Sequence, residues 1–143
     1  MYKKILIPLD NSPTDKDILE HIRPLAKLTR ANLIFVHVAD GYAARLQEQL
    51  NLQDSKEIQE DRQYLENQKE AFVKDGFNVK TFLISGEPSK EILSIAEKED
   101  CDLIAMATHG HRFVKDVILG SVADAIRHQT NIPILMIRAM QAQ

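Results

Sequence analysis

The chain has 143 residues, 44% of them hydrophobic and 27% charged, with a formal net charge of −3. That is the composition of a folded globular protein, and the length suits one domain. The mildly acidic balance gives no global attraction to nucleic acid or to a membrane surface, and no apolar run approaches the ~20 residues that a membrane span needs.

The opening segment, MYKKILIPLD, meets Pro8 and Asp10 too early to serve as a secretory signal, so a cytoplasmic location is expected. Residues 5–9 form the first predicted strand. Its near-continuous apolar character suits a strand covered on both faces, as in a parallel sheet. After Asp10, Ser12-Pro13-Thr14-Asp15 reads as a helix start. Serine caps, proline takes the first helical position, and Asp15 reaches back as in a capping box. Ile18, Ile22 and Leu25 give this helix its apolar face, and Pro24 is expected to kink it. Residues 33–38 form the second strand, in which His37 reads as a satisfied structural residue. Ala43, Leu46 and Leu50 then have helical spacing and suggest a short covering helix. Over 56–74 the sequence is strongly charged, with Ile58, Leu65 and Phe72 along one stripe. This predicts a surface helix with a solvated polar face, ended by Gly76 as a C-cap.

Residues 78–84 form the third strand. Gly86-Glu87-Pro88 turns the chain into a helix capped by Ser89, with Ile92, Leu93, Ile95 and Ala96 facing inward. Residues 103–106 form the fourth strand, preceded by the lone cysteine, Cys101, which excludes an intramolecular disulfide and reads as an inert small residue. Thr108, His109 and Gly110 follow, then a basic loop through His111, Arg112 and Lys115, and Gly120-Ser121 heading a helix over about 120–128. Residues 132–137 form the fifth strand. Pro133 lacks a donor, so this strand is expected at an edge.

Alternating strands and helices predict an α/β fold, an open five-stranded parallel sheet with helices on both faces. With strand one central, strand two on one side and strand four on the other, it is Rossmann-like, in strand order 3-2-1-4-5. Ligands bind such sheets at the carboxyl ends of the strands, where the order reverses. That brings Asp10 and the loop after Met106 to one crevice. Strand, glycine loop and helix start make a place for phosphate, because free N–H groups at a helix N-terminus point outward. Taken alone, Gly110 and Ser121 equally fit a plain turn and a plain N-cap. His109 and His111 form an H-x-H pair that suits either a metal or a cover over phosphates, and no convincing further ligand accompanies them.

KKILIPLDNSP, LIFVHVAD and LIAMATHG…LGSVADAIRHQTNIPILMIR, in this order from Lys3 to Arg138, resemble the universal stress protein family. The resemblance implies homodimers, formed here through strand five, and in one branch ATP bound through G-x2-G-x9-G-[ST]. The matching positions are Ala107, Gly110, Gly120 and Ser121. Ala107 departs from the pattern: its methyl disfavours positive φ and takes space beside a ligand. Carried over residue by residue, Pro8 and Leu9 line the adenine pocket, Asp10 bonds the ribose, and Val38 meets the adenine edge. Met106 and Ala107 lie under the ribose, His109 borders the phosphates, and Gly110, Gly120, Ser121 and Val122 hold them. The implied ligand is ATP, or AMP or ADP, with Mg²⁺ as a possible companion. The implied role is regulation in the stress response, with an unidentified protein partner. The competing readings are a family member that dimerises without nucleotide and acts through protein contacts, and an enzyme on this fold. Against the enzyme, the chain has no GxxxxGK[ST] loop, no second acidic pair for two metals and no SGGxDS after strand one.

Overall fold

The computed structural model describes residues 1–39, 56–108 and 117–139, and the side chains of all of these except 117–121. The predicted helix through Ala43, Leu46 and Leu50 and the loop carrying His109, Gly110, His111, Arg112 and Lys115 lie outside the described residues. The elements are β1 (Lys4–Pro8), α1 (Thr14–Thr29), β2 (Asn32–Ala39), α2 (Lys56–Lys74) and β3 (Val79–Ser85), followed by α3 (Pro88–Lys98), β4 (Leu103–Thr108), α4 (Val117–Gln129) and β5 (Ile134–Arg138). The strands form one parallel sheet in the order β3-β2-β1-β4-β5, as the strand and helix pattern predicted.

The central strands are apolar through their middles because both faces are buried there. Ile5, Ile7, Leu33, Phe35 and Ala105 point to one face, where Ile18 and Ile22 of α1 and Leu65 and Phe72 of α2 cover them. Leu6, Ile34, Val36, Ile104 and Met106 point to the other, against Ile92, Ile95 and Ala96 of α3 and Ile126 of α4. Cys101 is buried at the edge of this second core. Burial pushes its thiol up to about 11, which keeps it protonated and unreactive at neutral pH.

The helix starts differ from expectation in informative ways. Pro13 occupies the N-cap position of α1 and Thr14 is the first helical residue. The Ser12 hydroxyl does not cap; it donates to Asp10 Oδ1 at 2.5 Å and shares a hydrogen bond with Thr14 Oγ1 at 2.8 Å. Its short side chain finds a charged acceptor next to it, stronger than a backbone N–H. The helix runs on through Pro24, which forfeits one ladder bond while Ile18, Ile22 and Ala26 hold the element to the sheet. In α3 the N-cap is Glu87, with Pro88 at the first position, and the Ser89 hydroxyl donates to Glu87 Oε1 at 3.1 Å. The helix α4 begins at Val117, three residues before the expected start, since Val117, Ile118 and Leu119 continue the helix. Pro133 stands just outside β5, where its carbonyl accepts from Ile104 N at 3.0 Å, and β5 is an edge strand paired to β4.

Candidate functional site

The carboxyl ends of β1 and β4 flank the point where the strand order reverses. The β1 and β2 register runs on to Pro8↔Val36, but the β1 and β4 register pairs are only Ile5↔Leu103 and Leu6↔Ile104. Beyond Ile104, β4 follows β5 through Thr108↔Arg138. The sheet therefore opens between the ends of β1 and β4, which is where ligands enter folds of this kind.

Among the described residues, the predicted site residues lie on or just after β1, on β2 and β4, and in α4. Pro8 and Leu9 are buried, and Leu9 N donates to Val36 O at 2.8 Å. Asp10 is half-buried in the turn after β1. Val38 is half-buried near the end of β2, packed against the α3/α4 core. Met106 and Ala107, only 1% and 3% exposed, point to opposite cores at the end of β4. Val122 is buried in the α3/α4 core. Gly120 and Ser121 lie early in α4, within its backbone ladder. Ala107 has strand geometry and is not among the left-handed non-glycine residues, Asn11, Arg30 and Asp100, so its backbone makes no demand that alanine resists. His109, Gly110 and His111 are outside the described residues. Among the described residues no group of three or more His, Cys, Asp or Glu side chains is placed to hold a metal ion. An open groove lined by Glu97, Asp102, Asn131 and Pro133 lies at the other, amino-terminal end of the strands and takes no part in this site.

Beneath the opening lies a hydrogen-bonded cluster that the sequence reading missed. Asp15, 3% exposed, accepts from Asp10 N at 3.1 Å on Oδ1 and from Asn11 N at 2.8 Å on Oδ2. Asp15 thus reaches back as a capping carboxylate, but to the two residues before Ser12. The Tyr64 hydroxyl of α2 donates to Asp15 Oδ2 at 2.6 Å. Asn11, left-handed at φ 59°, donates its amide to Asp61 Oδ1 at 3.0 Å. Asp61 Oδ2 lies 3.1 Å from His37 Nε2, and His37 Nδ1 lies 2.8 Å from Leu9 O. His37 is thereby a satisfied structural residue, as expected. The polar face of α2 is not simply solvated, since Asp61 is buried and Tyr64 is half-buried. One signal was available: Asp61 stands three residues after Ile58 and four before Leu65, on the apolar stripe itself.

The electrostatics follow from burial. Loss of water, then the neighbouring Asp10 charge, pushes Asp15 up to about 7, while the Tyr64 hydroxyl pulls it down. Burial, then the Asp15 carboxylate, pushes the Tyr64 phenol up, so it stays a donor.

The universal stress protein family model matches residues 1–138. Universal stress protein MJ0577 of Methanocaldococcus jannaschii is 32% identical over 96% of this chain and 96% of its own length. The solved structure of MJ0577 superposes with a TM-score of 0.83 at 34% identity, covering 99% of each chain. A universal stress protein from Archaeoglobus fulgidus, solved in complex with dAMP, superposes with a TM-score of 0.69 at 22% identity over 95% of this chain and 98% of its own. The likeness to the last is one of fold. The chain belongs to the universal stress protein family.

Proposed function

We propose that this protein binds an adenine nucleotide, ATP or its mono- or diphosphate with Mg²⁺ as counter-ion, and acts as a cytoplasmic homodimeric regulator in the stress response through an unidentified protein partner. The observation that carries this reading is the opening between β1 and β4, with the turn that contains Asp10 following β1 on one side and the end of β4 on the other. Asp10 is the group suited to the ribose hydroxyls. Pro8 and Leu9 are apolar and suit the adenine pocket, Val38 its edge, and Met106 and Ala107 the underside of the ribose. Gly110, Gly120, Ser121 and Val122 are the residues that the family pattern assigns to the phosphates. His109 borders them. Family members solved with dAMP and with cAMP support the nucleotide class.

Two measurements test it. Denaturing the freshly purified protein and analysing the supernatant is expected to release an adenine nucleotide. Titrating nucleotide-free protein with Mg-ATP is expected to raise its melting temperature, since a ligand at a hundred times its Kd adds about 2.7 kcal/mol to the folded state. No release together with no shift at millimolar ATP favours the other reading, a dimer that works through protein contacts alone. That reading draws on the departure at Ala107.

A further inference from the structure

At the end of β1, three backbone groups and one side chain are held by side chains from three different elements. The Leu9 carbonyl is met by His37 of β2, the Asp10 and Asn11 N–H groups by Asp15 of α1, and the Asn11 amide by Asp61 of α2. Tyr64 of α2 locks the Asp15 carboxylate at 2.6 Å. The turn has no such ladder of its own, because Asn11 leaves the strand in a left-handed conformation. What gives the turn its shape is therefore a side-chain scaffold anchored on α2, remote in sequence from both β1 and β4.

We infer that Asp15 and Tyr64 are positioning residues of the nucleotide site: with Asp61, they fold the β1–α1 turn so that Asp10 meets the ribose. This rests on the adenine-nucleotide reading. The titratable groups facing Asp15 are the Asp10 carboxylate, from the turn, and the neutral Tyr64 phenol, from α2; Asp61 and His37 join them through Asn11. Ionised Asp15 offers both oxygens to the two backbone N–H groups and the phenol. Protonation converts one of those acceptors to a donor and releases the turn. Because Asp15 titrates near 7, ATP affinity should fall as pH drops below that value.

The test is a double-mutant cycle, with ATP affinity measured by calorimetry between about pH 6 and pH 8 near the Asp15 titration. Tyr64→Phe keeps the ring and removes the donor. It is expected to weaken ATP binding by about three- to tenfold, the net worth of one ordinary hydrogen bond. In an Asp10→Ala background the same change should lose most of its effect, because the turn then has no carboxylate to aim. Tyr64→Phe should also move the midpoint of the pH profile upward, since the hydroxyl is what holds Asp15 down. The titration of ATP itself is common to both proteins and cancels. Asp61→Asn, which acts on the same turn through Asn11, gives an independent check should Tyr64→Phe lower the yield of folded protein. A wild type that takes up no adenine nucleotide overturns the nucleotide reading and this inference together. A wild type that binds ATP, with a Tyr64→Phe effect that is absent or equally large without Asp10, overturns this inference alone.

Discussion

Asp15 places a buried carboxyl beside a second one, and its proton is therefore held more tightly in the native protein than in the unfolded chain. The native group titrates at about 7, against an ordinary value of 3.8. Between these limits the native state binds more protons, so this residue's contribution to stability is complete below 3.8 and lost as pH rises to about 7. Asp15→Asn cannot titrate. In urea unfolding, the wild type is expected to gain on this variant as pH falls from 7 towards 4, with a constant gap below. A gap independent of pH across that interval would mean that Asp15 is ionised normally. The same residue was legible in the sequence as a capping carboxylate, but its partners were not. Capping rules describe a helix meeting water, whereas here Ser12 turns to Asp10 and leaves Asp15 to serve the turn.

At the scale of the element, α2 shows how local and tertiary effects combine. Its end is a Schellman motif: Phe77 N donates to Phe72 O at 3.1 Å and Gly76 N to Val73 O at 3.0 Å. The Phe72 and Phe77 rings meet at 5.4 Å, supplying the apolar contact that accompanies this motif. Arg23 lies over the Phe72 ring at 3.9 Å and pairs with Asp75, tying α1 to this corner. Gly76 has φ +94°, and a Cβ there would meet nothing within 4 Å. Gly76→Ala is therefore expected to cost about 1 kcal/mol from backbone strain alone. Differential scanning calorimetry should show a fall in Tm of roughly 2–6 °C, and a smaller one for Gly76→Asn, which tolerates this conformation better. An unchanged Tm would mean the motif adapts without cost. This stop signal was readable because it depends on neighbours in sequence. The inward roles of Asp61 and Tyr64 depend on where α2 packs, and that is set by the sheet.

For the whole molecule, β5 is one of the two edges of the sheet, with β3 at the other. β5 pairs with β4 on one side, and Met136 is 42% exposed. An apolar edge strand invites a partner strand, and a two-fold axis pairing β5 with its copy closes a dimer. Leu135 and Ile137 are poor places to test this, because both pack against the α1/α2 core and a charge there threatens the fold. Met136→Lys leaves that core intact. By sedimentation the wild type is expected as a dimer at micromolar concentration and Met136→Lys as a weaker dimer or a monomer with an unchanged melting curve. A monomeric wild type would refute dimerisation, and an undiminished mutant dimer would move the interface elsewhere.

The sequence by itself determined the alternation of strands and helices and the parallel sheet, because apolar runs, caps and breakers act between near neighbours in the chain, and its ordered motifs pointed to the family. It also pointed to Asp10 and the end of β4 as the two lips of one opening. Only the tertiary structure decided what stands behind Asp10. Asp61 and Tyr64 lie about fifty positions along the chain from the turn that they hold. In the sequence they are two polar residues in a charged helix. Asp61 is buried and Tyr64 half-buried because α2 packs over β2 and β3, and polar groups withdrawn from water in this way must find partners. That requirement assembles the scaffold of the site from α2, α1 and β2, and it exists only when the sheet has brought them together.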